Sequence, residues 1–146
     1  MSYTYKDNSD EVLAALERAT RNGLTAIGMT AEGYAKRRLT ETVYTRTTDP
    51  DGYRLTGRLR NSVTYALAGE KAAIDSYKDN DGNTYEYDGT ADNDENSVFI
   101  GTNVVYAKGI ETGSHRKAGA VHFLQTAAAD HGDEYKELMR QAMENA

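Results

Sequence analysis

The sequence predicts an α+β domain: a long N-terminal helix and a C-terminal helix packed on a small, mainly antiparallel sheet of three to four strands, with a short helix after the last strand. Three observations carry this expectation. Apolar residues recur at helical spacing near both ends of the chain. Short alternating runs separated by turn residues fill the middle. No internal repeat or shift in composition divides the chain, so residues 1–146 read as one domain.

Ser9 is an N-cap type of residue, and Asp10 and Glu11 after it suit the positive end of a helix dipole. Residues 1–8 before it are expected to be flexible. Leu13, Leu16, Thr20, Leu24, Ile27, Ala31 and Tyr34 then form one apolar stripe, in a helix that runs to about Thr42. At 1.5 Å per residue this helix is about 50 Å long. One small domain does not cover that length, so the helix is expected to cross the sheet and reach towards a neighbouring subunit. Gly23, Gly28 and Gly33 interrupt it. They fit a gently bent helix, the simpler reading, or a close approach of another element at Gly23 or Gly33.

Asp49-Pro50-Asp51-Gly52 holds the only proline and predicts a turn that ends the helical region. Leu59, Val63, Tyr65 and Leu67 suggest a strand beginning near Leu59, closed by a turn at Gly69 and Glu70. A second strand is expected over 72–77, a turn over 79–83 and a short third strand over 84–87. The polar stretch 79–96 reads as an insertion at a hairpin. Val98, Phe99 and Ile100 mark a buried strand over 97–102, followed by a short helix over 104–112 that ends at Gly113. The basic, polar loop 114–120 is expected to be mobile. A closing helix over 121–143 carries Phe123, Leu124, Tyr135, Leu138 and Met139 on its apolar side, with Gly132 as a place where it can break in two.

Hydrophobic residues make up 38% of the chain and charged residues 27%, with both signs interspersed. A mean hydropathy of -0.75 points to long polar surfaces or a core completed by neighbouring subunits. The net charge of -6 disfavours a grip on nucleic acid and suits a surface that DNA passes without sticking, or one that meets a basic partner. The absence of cysteine excludes disulfides and thiolate metal sites. No apolar run reaches the roughly 18 residues of a membrane span, and the first ten residues are too polar for a signal peptide. The expectation is a soluble protein made in the cytoplasm, with no membrane partner.

No residue pattern points to catalysis, a cofactor or a metal. The acidic run from Asp79 to Asn83 invites a calcium reading, but with Gly82 at the sixth position of such a loop the first ligand would be Tyr77 and the twelfth Asp88. A β-turn with Asp-Gly at its centre is the simpler reading. His115, His122 and His131 lack metal-ligand spacing, and the last two, nine apart on one expected helix, fall on opposite sides of it. There is no nucleophile elbow and no glycine-rich phosphate loop. Two basic clusters remain, one at Arg54, Arg58 and Arg60 and one at His115, Arg116 and Lys117. Both suit contact with an acidic partner or with DNA, and both suit ordinary surface charge. Eleven tyrosines against two phenylalanines suit subunit interfaces or a half-wet sheet face.

Five segments, in order, resemble the HK97 gp10-like family of tailed-bacteriophage neck and tail-completion proteins. They are the N-terminal amphipathic helix; Thr56-Gly57-Arg58-Leu59-Arg60-Asn61-Ser62; Val98 through Gly101-Thr102-Asn103 to Tyr106-Ala107; Glu111-Thr112-Gly113-Ser114; and Phe123-Leu124. The likeness spans about residues 12 to 143. The chain departs from the family pattern at Tyr53-Arg54-Leu55, at Lys108-Gly109-Ile110 and at Val121-His122.

The resemblance implies a structural, non-enzymatic virion protein without cofactors. Its role would be a homo-oligomeric ring, hexameric or dodecameric, in the neck that joins head to tail tube around the DNA passage. Its partners would be itself, the neighbouring connector or head-closure protein, the tail-terminator or tail-tube protein, and passing double-stranded DNA that it does not read. The candidate subunit or partner interface comprises Arg54, Arg58, Arg60, Tyr106, Glu111, Ser114, Arg116 and Lys117. Gly57, Gly101, Asn103 and Gly113 are expected at turns and caps: Gly57 as a tight lead into a strand with Arg58 and Arg60 on one face, Gly101 and Asn103 at a sharp strand-to-helix change. Glu111 is expected to pair with arginines within or between subunits. The alternative is a small acidic binding module that occupies or blocks a basic host partner.

Overall fold

A computed structural model describes residues 7–146. The order is α1 (Ser9–Thr42), α2 (Arg58–Ser62), β1 (Thr64–Leu67), β2 (Ser76–Lys78), β3 (Thr84–Glu86), β4 (Val98–Gly101), α3 (Ala107–Thr112), α4 (Phe123–Ala129) and α5 (Gly132–Glu144). The architecture is α+β, with the long N-terminal helix packed against β1, β4, α4 and α5.

The expected single sheet of three to four strands is divided. β1 pairs antiparallel with β4, Thr64 opposite Gly101 and Leu67 opposite Val98, while β2 pairs only with β3. The strands are three or four residues long. Ladders this short need side-chain links to each other and a helix against them, because an isolated two-stranded hairpin is marginal in water.

α1 spans 34 residues, with the expected bounds. Its N-cap is Asn8 rather than Ser9; the Ser9 amide instead donates to Asp7 Oδ1 at 2.8 Å. The expected flexible segment 1–8 lies, but for Asp7 and Asn8, outside the described residues. The buried positions are Ala19, Gly23, Gly28, Ala31, Ala35 and Leu39. This is a stripe of small residues, mostly four apart, and not the leucine stripe the pattern suggested: Leu13 and Leu16 are exposed. Small residues let other elements approach the helix axis. A Cβ at Gly23 would lie 2.5 Å from Met139 Sδ of α5, and one at Gly28 would lie 2.7 Å from the Tyr65 ring of β1. Close approach thus occurs at Gly23 and Gly28, whereas Gly33 faces open space. Thr25, Thr30, Thr40 and Thr42 donate their hydroxyls to the carbonyl four residues back, so the polar groups on the helix are satisfied locally.

The strand expected from Leu59 begins instead at Thr64, because Gly57 at φ 77° turns the chain into a single helical turn. Asn61 N closes that turn on Gly57 O at 2.9 Å. Leu59 and Val63, fully buried, join Leu39, Val43, Tyr77, Val104, Val121 and Phe123 in the core. Each large side chain there stabilises the fold by about 1.5–3 kcal/mol relative to exposure. The closing helix is broken: α4 ends at Ala129 and Gly132 opens α5, so His122 and His131 sit at the N-caps of two helices. His131 stacks on Tyr34 of α1 at 3.5 Å between ring centroids.

The glycines of α1 give a paired prediction. Gly33→Ala should stabilise the protein by about 0.5–1 kcal/mol, since alanine is the better helix former and meets nothing there. Gly28→Ala should destabilise it, because the Tyr65 ring must move. Urea unfolding midpoints of the two variants, shifted in opposite directions, would check this.

Candidate interface residues

Two of the segments that carry the family resemblance, Thr56–Ser62 and Val98–Ala107, meet at a polar junction. Ser62, at the end of α2, is fully buried. Its hydroxyl donates to Leu59 O at 2.6 Å and contacts Thr102 Oγ1 just after β4. Thr102 Oγ1 in turn accepts from Val104 N at 3.0 Å. The Tyr87 hydroxyl donates to Ser62 O and accepts from Asn103 N at 3.1 Å. Asn103 completes the knot: its Oδ1 accepts from the Tyr77 hydroxyl at 2.6 Å, and its Nδ2 donates to Glu86 O at 2.9 Å. Five side chains thus tie β1–β4 to β2–β3, and the buried groups are paired rather than left unsatisfied. Tyr77 and Tyr87 were not singled out from sequence; the tyrosine-rich composition was the signal that pointed to them.

Asn103 does not have the left-handed backbone expected of a strand-to-helix turn, and Gly101 has neither a positive φ nor a neighbour that a Cβ would strike. Asn103 works through its side chain. Gly113 fits its expected role: at φ 79° it caps α3, and a Cβ there would lie 2.5 Å from Ala120 N.

Within the chain, Glu111 forms no ion pair with an arginine among the described residues. Its Oε2 accepts from Leu124 N and its Oε1 from Gln125 N, both at 2.9 Å, so the carboxylate caps the start of α4. Two backbone bonds run alongside, Val121 N to Ile110 O at 2.9 Å and His122 N to Glu111 O at 3.1 Å. The Glu-Thr-Gly-Ser and Phe-Leu segments are therefore one structural unit.

The basic residues separate. In a strand Arg58 and Arg60 would share a face, but on a helical turn they lie about 200° apart. Arg58 stacks over the Tyr85 ring at 3.9 Å, and its Nε is buried with no hydrogen-bond partner. Arg60 stacks over Tyr44 at 4.8 Å. Arg54 forms a bidentate ion pair with Asp81, both bonds 2.8 Å. Arg116 Nη1 donates to Gly119 O at 2.6 Å, which gives the expected mobile loop an internal closure. Lys117 offers only its backbone amide, to Asp51 Oδ2 at 3.3 Å.

Four of the eight candidates, Arg54, Tyr106, Ser114 and Arg116, share a cleft of about 460 Å³ between the turn after α1 and the end of α3. Its walls include Tyr53 and Ile110. Arg58, Arg60, Glu111 and Lys117 lie outside its lining. The Tyr106 hydroxyl is pushed up to about 12, mainly by burial, so it stays protonated as a donor. Tyr53 and Val105, the residue before Tyr106, are well exposed, and no sequence pattern marked either as a contact residue.

The acidic turn is held by its own hydrogen bonds. Asp79 accepts from the amides of Asp81 and Asn83, from Asn83 Nδ2 and from the Tyr85 hydroxyl. This fits the β-turn reading of 79–83. Among the described residues no group of three or more His, Asp or Glu side chains is placed to hold a metal, and no helix is long and apolar enough to cross a membrane. No family model, curated protein or solved structure matches the chain.

Two predictions follow from these contacts. Glu111→Ala should destabilise the protein by about 1–2 kcal/mol through loss of the α4 cap, as read from urea unfolding. The Asp79 carboxyl is held below its ordinary value by the Asn83 side-chain amide, helped by the backbone amides and Tyr85 and opposed by burial. Its contribution to stability is therefore complete above the unfolded-state value of about 3.9 and is lost as pH falls through the lower folded value. Unfolding midpoints between about pH 5 and pH 2 should fall less steeply for Asp79→Asn than for the wild type.

Proposed function

We propose that this chain is a structural subunit of a tailed-bacteriophage neck, a tail-completion protein of the HK97 gp10-like kind. It would form a homo-oligomeric ring, a hexamer or a dodecamer, between the head's connector and the tail tube and around the DNA passage. One observation carries the reading: four separated segments that resemble the family converge on two structural joints. The first is the Ser62–Thr102–Asn103 junction and the second is the Glu111 cap on α4. Residues shared with the family pattern thus hold a scaffold together, as expected of a protein whose work is assembly. The chain's net charge of -6 suits a channel wall that lets DNA slide past.

The second reading, a small acidic module that occupies a basic partner, draws on Asp92, Asp94 and Glu95. These are exposed on the loop before β4 and form no ion pair among the described residues.

Light scattering of the purified protein at rising concentration, with and without purified tails, separates the two. The neck reading predicts a discrete ring of about six or about twelve subunits, alone or on the tail end. A monomer that ignores tails and binds a basic protein with steep salt dependence would establish the binding module instead.

A further inference from the structure

α4 and α5 follow each other in the chain but are held very differently. α4 buries Phe123 and Ala127, and Glu111 caps its first turn. It packs on α1, α3 and β4. α5 has no buried residue, and its main support is α1. Tyr135, Leu138, Met139 and Ala142, all half-buried, form its apolar stripe. Met139 sits over the notch at Gly23, where a Cβ would lie 2.5 Å from its Sδ and 3.3 Å from the Ala142 Cβ. Further along, a cleft of about 380 Å³ opens between the two helices, lined by Ala15, Arg18 and Asn22 of α1 and by Ala142 of α5. The contact is thus tight at one point and loose at its end.

The polar contacts of α5 are largely its own. Arg140 pairs with Glu137 and Glu144 inside the helix, and among the described residues no ion pair joins α5 to another element. Pairs at these spacings support a helix by themselves. No backbone hydrogen bond among those residues crosses from α4 to α5. The Asp130 amide donates back to Thr126 O at 3.0 Å, and the Tyr135 amide donates to His131 O at 3.1 Å. His131, at φ -124° and ψ 29°, is the non-helical joint between the two helices. Three side-chain contacts close that joint. The His131 ring stacks on Tyr34 of α1 with centroids 3.5 Å apart, the Tyr34 hydroxyl donates to Glu134, and the Tyr135 hydroxyl donates to Ala127 O.

We infer that α5 is a strap that opens as one unit about His131 while the rest of the fold stays intact, with Tyr34, His131 and Glu134 as its latch. Elements with little buried surface and few links to the core are the ones that open locally. Opening bares two faces at once. One is the small-residue seam of α1 at Ala19 and Gly23, both buried while the strap is closed, and the other is the apolar stripe of α5. The strap makes exposure of that surface conditional. The inference goes beyond the proposed function and holds whether or not the chain forms a ring.

Native-state hydrogen exchange at low denaturant concentrations tests it. The amides of residues 136–141 should exchange through an opening with much weaker denaturant dependence than those of Leu39 and Val104, because that opening exposes less surface. Val63→Ala removes core packing that the closed and open forms share. It should speed the Leu39 and Val104 amides several-fold and leave the α5 amides unchanged. Tyr34→Phe loses the bond to Glu134 but keeps a ring on His131, and should speed α5 exchange about two- to tenfold. Three results would each overturn the inference: equal denaturant dependence for α5 and the core, α5 amides that speed up in Val63→Ala, or α5 rates unmoved by Tyr34→Phe.

Discussion

The contact between Ser62 and Thr102 is the constraint on which the rest of the fold depends. It joins two turns about 40 residues apart in the chain, one leading into β1 and the other leaving β4. Both hydroxyls are committed further, Ser62 to Leu59 O and Thr102 to Val104 N, so the joint also sets the geometry of α2 and of the approach to α3. Tyr87, Asn103 and Tyr77 then bind the second ladder to the first. Neither ladder has enough strands to stand alone. Packing on Leu59, Val63 and Tyr77 and the bonds from Asn61 Nδ2 to Lys78 O and from Ala73 N to Tyr65 O hold the two in register alongside these links. The network runs from the buried Ser62 and Tyr77 out to the exposed Asn103, and such a polar network specifies one arrangement when every member is satisfied.

Around that joint, small residues decide the shape. Gly23 and Gly28 let α5 and β1 come within contact of the α1 backbone, and Ala31, Ala35 and Leu39 continue the seam towards the core. The seam covers only the later part of the helix. The first turns carry no buried residue before Ala19, and Val12, Leu13 and Leu16 there are exposed.

Much of this could be read in the sequence, and the failures have physical causes. The bounds of α1 and the glycine cap at Gly113 followed from periodicity and cap chemistry. The turn at Asp79 followed from its Asp-Gly centre. The buried face of α1 did not, because alanine and glycine weigh little beside leucine in an apolar pattern, yet they permit the closest packing. The segment at Leu59 read as a strand because Leu59, Val63 and Tyr65 nearly alternate; a glycine in the left-handed conformation converted its start to helix. That conversion also scattered Arg58 and Arg60 to different aromatic partners. Glu111 was expected to pair with arginines within or between subunits; within this chain its carboxylate instead holds two backbone amides thirteen and fourteen residues further on, a partner that spacing alone does not reveal.

Hydrogen exchange, read residue by residue, tests the central claim that the Ser62–Thr102 joint locks the two ladders into one arrangement. The account predicts that the amides of Asn103 and Val104 exchange only with global unfolding. The first turns of α1, before its first buried residue Ala19, should exchange quickly. Slow exchange at the start of α1, or local opening at Asn103 while the centre of α1 stays protected, would contradict it.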